Sequence, residues 1–252
     1  MARSGPGAYA AIAVLAGAFV LALVARPALG ADWGAVKGSG TITKVARSVS
    51  AFNTLALELP AKLEIVQGDT EGLTIETDDN IAPLIETVVE HGELKLRFKQ
   101  RHTSINVRSL RITVQARNLQ GLSISGSGEI RAAALKADSL RCSIAGSGSM
   151  QLGMLDVDKL ALSIGGSGDF DAAGRAAAID ASIAGSGSLR APRLAAGRIK
   201  LSIAGSGDAR VWAKETLAVN IAGAGDVAYY GDAQVSQSVL GSGSIKRLGS
   251  AP

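Results

Sequence analysis

In the second half of the chain, hydrophobic and polar residues alternate in short, regularly spaced runs. Leu140, Cys142 and Ile144 alternate with Arg141 and Ser143, and the pattern returns at Leu160, Leu162 and Ile164 and again at Ile199, Leu201 and Ile203. A period of two belongs to a β-strand with one buried face. Each run ends in a small-residue corner, usually Gly-Ser-Gly. Alternation then resumes with Met150 and Leu152, Leu189 and Ala191, or Ala209 and Val211 on the same inward side. A third short segment follows an Ala- or Gly-rich bend such as "RAAALKADSL".

The corners set the repeat. Their glycine pairs are Gly126 and Gly128, Gly146 and Gly148, Gly166 and Gly168, Gly185 and Gly187, Gly205 and Gly207, Gly223 and Gly225, and Gly241 and Gly243. Successive units are therefore 18 to 20 residues long. No unit carries a helical stripe, and α-helical repeats need more residues for two helices. The leucine-rich repeat has this length, but its asparagine-containing consensus is missing. Short strands turning at a fixed short period predict an all-β fold, a single-stranded parallel β-helix (β-solenoid), with one unit per coil. Coils spaced about 4.8 Å apart would make seven units span about 34 Å.

Glycine suits such a corner because it reaches positive φ, or lets two backbones meet, without a Cβ clash. Stacking also predicts two serine columns, Ser123, Ser143, Ser163, Ser182 and Ser202 on the outer face, and Ser127, Ser147, Ser167, Ser186 and Ser206 at the corner. Hydroxyls donate and accept, so such columns could satisfy themselves. Asn220 continues the first column.

Residues 31–120 are less regular, and 121–248 hold the coils. "AFNTLALELPAKLEIV" alternates but is interrupted by Pro60. "GLTIET", "GELKLRFKQ" and "SLRITVQA" read as further strands, and "NIAPLIETVV" as a brief helical turn or irregular edge. The region is expected to cap one end of the solenoid, whose open edge would otherwise pair with other chains.

Residues 1–30 read as an export signal, with Arg3, an apolar run from Ala8 to Ala25, and small residues "ALG" before Ala31. The competing reading is an uncleaved anchor helix. Either implies export, and after cleavage no later segment is apolar enough to span a membrane. Arg3 and Arg26 fall in this leader, so the formal charge of +4 drops to +2 for the remainder. A lone cysteine, Cys142, excludes an intramolecular disulfide. Packing and backbone pairing must hold the fold.

"VKGSGTITKVARSVSAFNTLALELPAKLEIVQGD", "IETVVEHGELKLRFK" and the serial "SIxGSG" units together resemble the exported bacterial family called putative auto-transporter adhesin, head GIN domain. The likeness runs from Val36 to Lys246. It implies a β-solenoid in the cell envelope, and it supplies no functional residues to carry over.

The chemical readings of the corners fail individually. A phosphate loop needs a lysine after its last glycine and then a helix, whereas Glu129, Ser149 or Asp169 and a strand follow here. A serine elbow needs Gly-x-Ser-x-Gly with a histidine and an acid, whereas the corner reads Gly-Ser-Gly many times over and the only histidines, His91 and His102, both fall in the N-terminal half. Calcium takes six to eight oxygens, and Asp169, Asp208 and Asp226 supply about one carboxylate per coil. His91 and His102 lack a third metal partner and read as strand-surface residues. Cys142 occupies an inward slot and reads as a small buried hydrophobe. No cofactor or metal is implied.

One stretch departs from this uniformity. From Gly92 to Gln120 seven basic residues face Glu93 alone, and Lys95, Arg97, Lys99 and Arg101 share one parity. On a straight strand they form an outward basic stripe, either a charged guard on an edge strand or a candidate site for envelope polyanions. Nucleic acid is disfavoured by export and by the lack of stacking aromatics. The expected protein is a noncatalytic envelope module for binding or adhesion, with a polyanion, glycan or protein partner. A structural or regulatory protein without ligand and a polysaccharide-active β-helix enzyme are the alternatives. The sequence leaves the oligomeric state open.

Overall fold

The computed structural model describes residues 35–251 apart from His102, so the export segment 1–30 and His102 lie outside the described residues. The chain forms a parallel β-solenoid of about six turns. No α-helix occurs among the described residues, and Ala82–Leu84 make a single 3-10 turn. Gly34–Pro252 is one compact unit.

Alternation along the sequence becomes vertical ladders in the fold. Leu57, Ile124, Ile144, Ile164, Ile183, Ile203, Ile221 and Val239 stand directly over one another in parallel register. All but Val239 are buried. Cys142 belongs to a neighbouring ladder with Leu122, Leu162, Ala181, Leu201 and Val219, and it is fully buried. Full burial of one such aliphatic side chain is worth about 1.5–3 kcal/mol.

The bends within most units do not interrupt pairing. Glu129–Gly146, Ser149–Gly166 and Ser188–Gly205 are each one continuous 18-residue strand that turns twice. Small register shifts, as between Leu152 and Met154, absorb the turning. The Gly-Ser-Gly corner breaks the ladder in every turn, and in the last turns it is also interrupted opposite Pro192–Leu194 and at Gly231–Ala233. At the corner Gly146 has φ +120°, and a Cβ on it would sit 2.6 Å from the Gly126 carbonyl oxygen. That carbonyl accepts a hydrogen bond from the Ser147 N–H at 2.9 Å. At Gly148 the obstacles are the Ile124 side chain and the Gly128 carbonyl oxygen. One glycine supplies the left-handed turn and the next the close approach.

The outer serine column is in register from Ser123 to Ser202 and continues through Asn220 to Ser238. It does not satisfy itself, because no hydroxyl-to-hydroxyl hydrogen bond links these serines among the described residues. Hydroxyls in like orientation on turns about 4.8 Å apart lie beyond hydrogen-bond distance of one another.

The stacking order in the first half differs from the chain order. Thr54–Leu57 and Lys62–Gln67 lie directly under the strands Gly121–Gly126 and Glu129–Gly146. Beyond them Glu93–Phe98 and Arg111–Ala116 add another parallel layer. Antiparallel strands then cover this end: Ile85–Glu90 along Glu93–Phe98, Gly72–Asp78 along Arg111–Ala116, and Ile42–Arg47 along Gly72–Asp78. The Arg47 guanidinium ties the cover together by donating to the carbonyl oxygens of Ala82 and Ile85 and to the Thr87 hydroxyl.

Two substitutions test this packing. Ile164→Asp should destabilise the fold by more than about 4 kcal/mol in urea denaturation, whereas Ser167→Asp should stay within about 0.5 kcal/mol. Gly146→Ala should cost at least about 1–2 kcal/mol, while Gly165→Ala, at ordinary φ with its nearest neighbour at 3.9 Å, should be nearly neutral.

Candidate functional site

The basic stripe divides once the chain is folded. Glu93–Phe98 is an interior strand, paired on both sides, so the edge-guard reading is corrected. Lys95 donates to Glu90 at 2.8 Å and lies 3.7 Å from Glu93, while Arg97 donates to Glu86 at 2.7 Å. Antiparallel pairing places Glu86 opposite Arg97 and carries Glu90 within reach of Lys95. The bond and charge of Lys95 hold the Glu90 carboxyl below its usual range. Lys99 and Arg101 lie beyond the strand end, where the four-residue stripe loses its straight course. They border a depression of about 600 Å³ that also contains Glu58, Glu86 and Thr103. Among the described residues neither is in an ion pair.

His91 is a turn residue rather than a strand-surface one. It sits at φ +52° beside Gly92 at φ +79°, the two residues joining Ile85–Glu90 to Glu93–Phe98. Burial pushes the Cys142 thiol far up, out of the reactive range. Among the described residues no three histidine, cysteine or acidic side chains are grouped to hold a metal.

A larger feature comes from the stacking order. Thr54–Gln67 covers two sides of the next turn and then leaves the stack, so the edge between Ala132 and Arg141 has no strand beneath it. The gap is a groove of about 1070 Å³. Its charges are balanced, Asp69, Asp138 and Asp156 against Arg117, Lys136 and Arg141, and Met154 projects into it 71% exposed. Arg175 donates twice to Asp156, which keeps that carboxyl ionised to lower pH.

Gln67 marks what this edge accepts. Its side-chain amide donates to the Lys136 carbonyl oxygen at 2.9 Å and accepts from the Lys136 N–H at 2.8 Å, the two bonds a neighbouring strand would make. It also donates to the Arg117 carbonyl oxygen. One carboxamide thus stands in for a missing peptide unit. A glutamine ending a strand gives little sign of this in the sequence.

A second unforeseen feature is the leading "GSG" at Gly38–Gly40. It is no solenoid corner. Gly40 N–H donates to Asp78 Oδ1 at 2.6 Å, Ser39 N–H to Asn80 Oδ1 at 3.0 Å, and Ser39 Oγ to Asp79 Oδ1 at 2.5 Å. Asp78 is buried, and a Cβ on Gly38 would overlap its carboxyl. The loop clasps the acidic turn and fixes the first strands to the cap.

Residues 51–233 match the family described as putative auto-transporter adhesin, head GIN domain. The chain belongs to that family. Among solved structures, this head GIN domain is similar to one described as a putative adhesin from Bacteroides fragilis, with TM-score 0.78, 26% identity, and coverage of 84% of this chain and 100% of the other. A second, described as a putative lipid binding protein from Parabacteroides distasonis, has TM-score 0.73, 25% identity, and coverage of 85% and 100%. A third, described as a putative adhesin from Parabacteroides merdae, shares the fold with TM-score 0.67 at 24% identity, covering 84% and 98%. No curated protein matches the chain.

In this head GIN domain, Gln67→Ala should speed hydrogen exchange at the Lys136 amide and lower stability by about 1–2 kcal/mol. Gln67→Glu should act in the same direction, since a carboxylate cannot donate. Acidification gives a separate check. A carboxylate whose folded pKa is lowered contributes stability above its unfolded value, about 4.3 for glutamate, and loses it as pH falls through the folded value. The thermal midpoint should fall below about pH 4, with a shallower fall in Glu90→Gln.

Proposed function

We propose that the protein is an exported, noncatalytic surface-interaction module of the bacterial envelope, which engages an extended segment of a protein partner along the groove above Gln67. The carrying observation is the bare strand edge between Ala132 and Arg141, where a side-chain amide already makes strand-like bonds. Adding a strand to such an edge supplies affinity from main-chain hydrogen bonds, and flanking side chains supply selectivity. The balanced charges suit a polar segment rather than a simple polyanion. Aromatic platforms that stack on sugar rings are missing from the lining, which favours a peptide over a glycan. The family description and the adhesin descriptions of the similar structures support the same class of role.

A second reading keeps the polyanion idea at the other depression, because Lys99 and Arg101 border it and neither is in an ion pair among the described residues. One measurement separates the two. Labelled protein is titrated onto isolated bacterial envelopes, with the double variants Asp138→Lys/Arg141→Glu and Lys99→Glu/Arg101→Glu alongside. The groove reading expects saturable binding weakened roughly tenfold or more by the first pair, about 1.4 kcal/mol, and little changed by the second. Loss only with the second pair, together with strong salt sensitivity, would establish the polyanion reading instead. No saturable binding by the parent protein rejects both.

A further inference from the structure

We infer that the strand Gln234–Gly241 is the contact through which two copies of this chain join end to end about a two-fold axis, strand against strand and antiparallel. Of the two outer strands of the last turn, Ser244–Gly249 carries Lys246 and Arg247, whereas Gln234–Gly241 carries no charge. At the N-terminal end the outermost strands carry charge, Lys44 and Arg47 on Ile42–Arg47 and Glu86 and Glu90 on Ile85–Glu90. Charged side chains on an edge strand discourage further pairing. Gln234–Gly241 pairs with the preceding turn on one side only, runs eight residues, and reads "QVSQSVLG" without a charge or a proline.

Its sequence fits its own copy. Val235-Ser236-Gln237-Ser238-Val239 is a palindrome centred on Gln237. Antiparallel pairing about that centre sets Val235 opposite Val239, Ser236 opposite Ser238, and Gln237 opposite itself. A two-fold axis perpendicular to the sheet keeps inward positions inward, so the apolar ladder that ends at Val239 resumes at Val235 of the partner subunit. Val239 is 37% exposed in the single chain, while Ile221 directly before it in the ladder is buried.

Gln237 supplies the second argument. It stands in the inward slot that Val219 holds one turn earlier, yet it is a polar residue and exposed at the end of the core. A carboxamide there has both a donor and an acceptor to offer. Across the two-fold axis it meets an identical group that can satisfy both. Because the opposite end of the solenoid is covered by charged antiparallel strands, head-to-tail stacking finds no matching edge. The association closes at two copies rather than running on as a fibre.

Sedimentation of the full chain over a range of concentrations should show a reversible monomer–dimer equilibrium. Gln237→Lys places like charges opposite one another and should weaken it roughly tenfold or more; circular dichroism checks that the variant retains its strands. Directly opposed residues on antiparallel strands lie within disulfide range, about 4.4–6.8 Å between Cα atoms. Gln237→Cys with oxidised glutathione should therefore give a covalent dimer much faster than Ser186→Cys, placed at an exposed corner. Cys142 is buried and contributes little background. A parent chain that stays monomeric throughout, a dimer untouched by Gln237→Lys, or equal cross-linking of the two cysteine variants would overturn the inference.

Discussion

Each turn of this molecule rests directly on the backbone of the one before it, and nothing larger than hydrogen fits between consecutive corners. The Gly126 carbonyl oxygen lies only 2.6 Å from where a Cβ of Gly146 would be, and the same distance separates the Gly146 oxygen from a Cβ on Gly166. That close approach fixes the vertical spacing, brings the Ser147 N–H onto the Gly126 carbonyl oxygen, and sets the register in which the strand after each corner starts over its predecessor. The aliphatic ladders follow from the register. So does the even spacing of the outer positions.

The repetitive half of the fold was legible because one rule acts on every unit. Ile144, Ile164 and Ile203 stand inward as their period-two pattern requires, and Cys142 is buried in the slot shared with Leu162 and Leu201. The first half was less legible because its neighbours in space are distant in sequence. Nothing local indicates that Gln67 bonds to Lys136, or that Gly38–Gly40, spelled like a corner, clasps Asp78. Lys95 and Arg97 find their partners Glu90 and Glu86 on the preceding strand, across the turn and outside the basic stretch Gly92–Gln120. The "HG" at that turn was the available sign of a hairpin.

Regularity also shapes what the surface can offer. A prism of identical turns has little reason to concentrate chemistry at one place. Its distinctive features arise where the repetition stops. The groove above Gln67 exists because one layer supplies only two of its three sides, and the exposed strand Gln234–Gly241 exists because the described stack ends there. Sequence motifs drew attention to the repeated corners, whereas the irregular positions carry the contacts that single this chain out.

The detour between Gln67 and Gly121 also bears on how the solenoid is assembled. Consecutive turns from Gly121 onward pair residues about 20 positions apart, a separation whose loop-closure cost is small and can be met one turn at a time. Thr54 must instead find Gly121, and Lys62 must find Glu129, each across 67 residues. Contacts of such high sequence separation form slowly and favour nucleation elsewhere. The C-terminal turns are the natural seed, and the N-terminal layers close over a template that has already formed. The order of folding then runs against the order of synthesis.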